Sequence, residues 1–146
     1  MNPYTHILLA VDFSDQSEQV TKKALQLAAQ NQALLSLVHV VEDLPITDPG
    51  YGPIPFDLDL TQEWLEASKQ RLLKLGHELG IPEQRQWLEM GSAKLEIVRV
   101  ANENNVDLIV VGSHGRHGLA LLLGSTANGV LHHALCDVIA IRLQDD

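Results

Sequence analysis

The sequence predicts an α/β domain with a mostly parallel sheet, and three observations carry that prediction. Short, continuous apolar runs recur along the chain, segments with helical periodicity separate them, and the length of 146 residues suits one domain spanning 1–146. Continuous runs, unlike alternating ones, fit strands covered on both faces. Regular exchange of strand and helix implies parallel pairing through right-handed crossovers.

Four apolar runs are read as strands: Ile7–Val11, Leu34–Val41, Leu108–Val111 and Val138–Leu143. A weaker fifth is Gln86–Met90, preceded by Ile81-Pro82 and closed by Gly91. Val20, Ala24, Leu27 and Ala28 share one face of a helix near Gln16–Gln30, which Ser14 or Asp15 can cap by accepting first-turn amides. Leu65, Leu72, Leu75 and Leu79 mark a long helix near Leu60–Leu79 that Gly80 stops. Ile97, Val98 and Ala101 mark a third helix with Ser92 as its cap, and a fourth runs from about Ser125 to Ala134. One long irregular stretch remains, Glu42–Asp59, rich in Pro and Gly; it reads equally as a functional loop or a plain connection.

Composition narrows the function classes. The chain is 45% hydrophobic and 20% charged, enough apolar material for a core without staples. Its formal net charge of −9 repels a phosphate backbone, so no nucleic-acid partner is expected. A single cysteine, Cys136, permits no internal disulfide and reads as a buried structural thiol in a reducing compartment. The first apolar run is too short for a signal-peptide core, and no stretch approaches the roughly 18 residues of a membrane span. A cytoplasmic location without membrane contact is the expectation.

In open α/β sheets ligands bind beyond the carboxyl ends of the strands, where the strand order reverses. The segments that follow the apolar runs are therefore the candidates: Asp12-Phe13-Ser14, Val40-Val41-Glu42, and Gly112-Ser113-His114-Gly115-Arg116-His117-Gly118, continuing to Gly124-Ser125-Thr126. Glycines admit positive φ and close approach of a ligand. A helix opening at Gly124-Ser125-Thr126 offers unpaired amides to an anion. Each bond to a phosphate contributes about 1.5–3 kcal/mol, and two or three of them with a buried adenine reach roughly micromolar affinity. The same Gly-Ser is also an ordinary helix cap, and the segment is neither a Walker A loop nor a G-x-G-x-x-G fingerprint. His114 and His117 sit in the loop, while His132 and His133 point about 100° apart on a helix and make poor joint metal ligands; no metal site is expected. Trp64 reads as core or partner-facing packing rather than a cofactor platform. Asp12 is the one carboxylate placed at the site, too little to claim an enzyme, and nothing in the residues supports slow ATP turnover or autophosphorylation on a loop serine. The last strand is an apolar edge, which favours antiparallel self-pairing into a homodimer.

The segments His6–Ser14, Leu37-Val38-His39-Val40, Val106–Gly115 and Val138–Ile141 together resemble the universal stress protein family, A type, over essentially the whole chain. The resemblance implies a Rossmann-like five-stranded sheet of order 3-2-1-4-5, homodimers joined through the last strand, and, in the nucleotide-binding branch, ATP or AMP, with Mg2+ as a companion. By that likeness Asp12 and Val40 lie near the adenine, and Val111, Gly112, Gly115, Arg116, Gly124, Ser125 and Thr126 hold or neighbour ribose and phosphates. The usual motif has nine residues between its second and third glycines; here there are eight, Arg116 to Leu123. Two readings follow: a nucleotide-binding stress regulator, or an A-type dimeric interaction protein without nucleotide, whose protein partners the sequence does not name.

Overall fold

In the computed structural model, residues 4–14, 17–42, 58–113 and 124–142 are described. Strands β1 (His6–Ala10), β2 (Leu34–Val41), β3 (Gln86–Met90), β4 (Leu108–Gly112) and β5 (Asp137–Ile141) exchange with helices α1 (Ser17–Asn31), α2 (Leu58–Leu79), α3 (Ala93–Glu103) and α4 (Ser125–His133). The sheet order is β3-β2-β1-β4-β5, and every pairing is parallel. The expected fold class and strand order are both found. β2 and β3 have the bounds expected from sequence; a turn of 3-10 helix, Glu83–Arg85, precedes β3 and was not expected.

The continuous apolar runs explain the two-sided core. Side chains alternate across a strand, so Ile7, Leu9 and Val11 join Leu37, Val20, Ala24, Ala28 and Leu72 on the face that carries α1 and α2. Leu8, Val38 and Ile109 turn the other way and meet Ile97, Val100 and Val130 of α3 and α4. Ile7, Leu8, Leu37, Leu108 and Ile109 are completely buried. On α4, Gly129 lets α3 approach: a Cβ there would stand 2.5 Å from the Lys94 stem.

Three helices finish at the amino edge of the sheet with left-handed residues. Gly80 has φ +72°; its amide bonds to the His77 carbonyl at 3.3 Å, and that of Ile81 to Gly76 at 2.8 Å, a Schellman stop. Gln32 (φ 53°) repeats the pattern, with Ala33 bonded to Ala28 at 2.9 Å, and Asn105 (φ 56°) stands before Val106, which bonds to Ala101 at 3.0 Å. The caps at the other ends differ from expectation. Ser92 does occupy the cap of α3, but its hydroxyl makes no capping bond; its carbonyl accepts the Glu96 amide at 2.9 Å. Ser14 likewise serves α1 through its carbonyl, 3.0 Å from the Ser17 amide, and Asp15 lies outside the described residues.

Polar ties lock the same amino edge. Asp107 accepts the Thr5 amide at 2.8 Å, the Thr5 hydroxyl at 2.9 Å and the His6 amide at 3.0 Å. Burial pushes the Asp107 carboxyl up, but these bonds outweigh it and hold the group below its ordinary range. His6 spends both ring nitrogens: Nδ1 on the Asn104 carbonyl at 3.1 Å and Nε2 on the hydroxyl of fully buried Ser36 at 2.5 Å. Since a carbonyl only accepts, Nδ1 carries the proton and Nε2 receives the Ser36 hydroxyl.

Candidate functional site

The carboxyl edge is built differently. There the strand ends and the starts of the helices enclose a cavity of about 550 Å³. β1 leads into Asp12, whose Oδ1 accepts the Ser14 amide at 2.9 Å and tightens the turn. Between them Phe13 adopts a left-handed φ of 57°, a costly conformation for a bulky residue. That conformation is held from two sides. The Phe13 ring packs on His39 of β2 with centroids 4.7 Å apart, and the Arg71 guanidinium of α2 sits 4.4 Å above the ring centroid. Arg71 Nη2 also reaches the Phe13 carbonyl at 3.5 Å.

His39 follows Leu37 by two residues and so faces the α1/α2 side with it. Its Nδ1–H donates to the Val11 carbonyl at 2.6 Å. Burial pushes the ring below its ordinary 6.5; the Val11 bond and Asp12 pull upward, Arg71 pushes further down, and the net shift is down. The imidazole is therefore neutral at pH 7.

On the opposite wall α4 presents its N-terminus. Gly124 is the cap residue, with φ −62°; its amide bonds to the Ser113 carbonyl at 2.6 Å, while the Ser113 amide bonds to Ile141 at 2.8 Å. The helical ladder begins with the Asn128 amide on the Gly124 carbonyl at 2.9 Å, so the amides of Ser125, Thr126 and Ala127 precede it. Such an end carries partial positive charge. Neither Gly112 nor Gly124 uses positive φ, which among the described glycines belongs to Gly80 and Gly91. The expected conformational reason for glycine thus fails at both positions, and the absence of a side chain beside the cavity is what remains.

Of the residues named from sequence, Asp12, Val40, Val111, Gly112, Gly124, Ser125 and Thr126 all line this cavity. Gly115 and Arg116 lie outside the described residues, as do His114, His117, Leu143 and nearly all of the Glu42–Asp59 stretch. Sequence reasoning missed the α2 wall, Trp64, Ser68 and Arg71, together with His39 as a lining residue. The spacing of 64, 68 and 71 marks one helix face. Trp64, expected in core or partner packing, is 47% exposed on the cavity wall. Its helix of 22 residues is about 33 Å long, more than the neighbouring strands. Among the described lining residues Asp12 and Glu42 are the carboxylates and Arg71 the one cation. No three described His, Cys, Asp or Glu side chains are grouped to hold a metal ion. Cys136 is half-buried rather than buried, and burial, Asp137 and Asp107 push its thiol up, which leaves it protonated. No described helix is long and apolar enough to cross a membrane.

An all-parallel five-stranded sheet with a crevice at the point where its order reverses defines a doubly wound, Rossmann-like α/β domain. The chain belongs to the universal stress protein family: the profile of that family matches residues 3–142. Universal stress protein A homolog 1 of Coxiella burnetii is 42% identical over 142 residues, covering 97% of this chain and 99% of the relative. The solved structure of hypothetical protein MJ0577 superposes with a TM-score of 0.80 at 25% identity, over 98% of this chain and 99% of its own. A universal stress protein in complex with cAMP shares the fold at a TM-score of 0.56 and 22% identity, over 95% of this chain and 97% of its own.

Proposed function

We propose that this protein is a cytoplasmic stress-response regulator that binds an adenine nucleotide, ATP or AMP, in the cavity at the carboxyl edge. One observation carries the reading: a cleft of about 550 Å³ has an apolar strand edge on one side and the open amides of α4 on the other. That combination suits a flat, poorly charged base at one end and an anion at the other. Asp12 and the Val40 backbone would meet the adenine. Val111 and Gly112 would pass beside the ribose, and Ser125 and Thr126 would hold phosphate at the cap left bare by Gly124. Gly115 and Arg116 would complete the loop over the phosphates, and Mg2+ would accompany a triphosphate. Asp12 and Glu42 are the only described carboxylates on the cavity wall, which argues for binding or slow turnover rather than fast hydrolysis. The family neighbour solved with cAMP supports a nucleotide as ligand class.

Purified protein, denatured and analysed for released nucleotide, should yield ATP or AMP, and calorimetry with ATP plus Mg2+ should give a Kd near the micromolar range. Gly124→Val should lower affinity at least tenfold while the far-ultraviolet spectrum stays unchanged. No released nucleotide together with no heat of binding would overturn the proposal.

A second reading, a dimeric A-type interaction protein without nucleotide, is favoured by the spacing of eight residues between Gly115 and Gly124. Both readings share a homodimer built on β5. That strand is outermost, its Val138, Ile139, Ala140 and Ile141 are only half-buried, and Leu135 nearby is 84% exposed. Pairing of two β5 strands across a two-fold axis would cover them. Ile139→Lys should halve the mass seen by light scattering; an unchanged dimer would rule this interface out.

A further inference from the structure

The two ring nitrogens of His39 have different fates. Nδ1–H is committed to the Val11 carbonyl at 2.6 Å. A carbonyl cannot donate, so this bond fixes the tautomer and leaves Nε2 as a bare lone pair. Among the described residues nothing donates to it, although His39 lines the cavity. The ring cannot turn away easily. Phe13 lies across one face at 4.7 Å, and Phe13 is itself clamped by Arg71.

We infer that His39 is a specificity-determining residue of the cavity: its Nε2 accepts a hydrogen bond from an N–H or O–H of the bound nucleoside, so ligand and proton compete for one lone pair. This rests on the nucleotide reading given above and extends it to the nucleoside end of the ligand. The charged groups around the ring pull in opposite directions, and the downward pull is the stronger. Arg71, reaching in from α2, opposes a second positive charge; Asp12, on the turn after β1, favours it more weakly. Glu42 lies three residues on, just past the end of β2, and also lines the cavity. Desolvation is the largest influence and keeps the ring neutral. Protonation would turn Nε2 from acceptor to donor and repel the nucleoside's own donor hydrogen.

Adenosine is the cleaner probe, because the phosphate of AMP titrates near pH 6 on its own account. Wild-type affinity for adenosine should fall about tenfold as pH is lowered from 8 through the folded pKa of His39, which lies below 6.5. His39→Gln keeps an acceptor that does not titrate; it should bind within about threefold of wild type at pH 8 and lose most of the pH dependence. His39→Phe keeps the packing on Phe13 but has no acceptor, and should bind about tenfold more weakly at pH 8, the factor expected for one hydrogen bond. Arg71→Gln should move the midpoint of the wild-type profile to higher pH, a change that a purely structural role would not produce. Inosine and 2′-deoxyadenosine identify the donor: a selective loss with the first assigns the exocyclic amine, with the second the ribose hydroxyl. A His39→Gln profile that overlays wild type would overturn the role of His39 and leave the nucleotide site standing. Absence of ATP, AMP and adenosine binding at pH 8 would overturn both.

Discussion

His6 and His39 sit at opposite edges of one sheet, and the same side chain does different work at each. At the amino edge His6 uses both nitrogens, on Asn104 and Ser36, and ties β1, β2 and the end of α3 together. At the carboxyl edge His39 uses one, on Val11, and turns its ring to a cavity. The rest of each edge follows suit. Around His6 the polar groups are closed off by Asp107 and by helix ends that satisfy their own carbonyls. Around His39 the helices begin, so amides point outward, and Asp12 and Arg71 line the cavity while holding the Phe13 turn. In a parallel sheet this asymmetry is built into the connectivity, since every crossover helix runs back from the carboxyl edge to the amino edge. The lesson is that a polar residue at a strand end is judged by how many of its hydrogen-bonding atoms the protein itself has used.

The strongest way to break this comparison is to open the locked edge. Asp107→Ala removes three hydrogen bonds to a carboxylate, from the Thr5 amide, the Thr5 hydroxyl and the His6 amide. A loss of about 2–3 kcal/mol is expected, because water can reach the freed amides in part. For a domain of this size that corresponds to a fall in Tm of about 5–10 °C. The sign of the pH effect follows from the lowered carboxyl: its contribution is complete above the ordinary value of 3.8 and disappears as pH falls through the lower folded value. The stability gap between wild type and Asp107→Ala should therefore narrow in urea titrations as pH falls below 3.8 and through the lower folded value. Nucleotide affinity at neutral pH should be unchanged. A stability loss under about 0.5 kcal/mol, or a loss of affinity equal to that of Gly124→Val, would mean that the two edges are not separable as described.

The amino edge was also the less legible one. The apolar runs revealed where the strands are, because continuous burial on both faces leaves a local signature in β1, β2 and β4. His6 was placed outside the first run because it is polar; its backbone pairing with Leu34 makes it a strand residue, and its ring reaches the distant Asn104 and Ser36. The cavity was half legible. Asp12, Val40 and Gly124-Ser125-Thr126 follow apolar runs directly, so their position beyond the strand ends could be read in order along the chain. Arg71 and Trp64 could not, since what brings α2 over the Phe13 turn is the length of the helix and the order of the sheet. His39 carried a signal that went unused: it is the one ring side chain in a strand whose only other polar residue is Ser36, and it stands two residues from the carboxyl end. The left-handed φ of Phe13 has no sequence signature, being held by contacts from β2 and α2.

A smaller effect sharpens the same comparison from the other side. If the amino edge is purely structural, it can be improved without cost to the cavity. Gln32 and Asn105 occupy left-handed stops where Gly80 serves α2. Asparagine tolerates that conformation better than glutamine, whose Cβ strain is of the order of 1–2 kcal/mol. Glycine removes the strain but adds freedom to the unfolded chain worth about 0.5–1 kcal/mol. Gln32→Gly should therefore gain about 0.5–1 kcal/mol, or roughly 2 °C in Tm, and Asn105→Gly less. Nucleotide affinity should not move with either, because both residues stand a strand length from the cavity. An affinity change of more than about twofold in Gln32→Gly would show that the helix stops at one edge are coupled to the helix starts at the other, and that α1, whose Ser17, Val20 and Thr21 line the cavity, transmits the change.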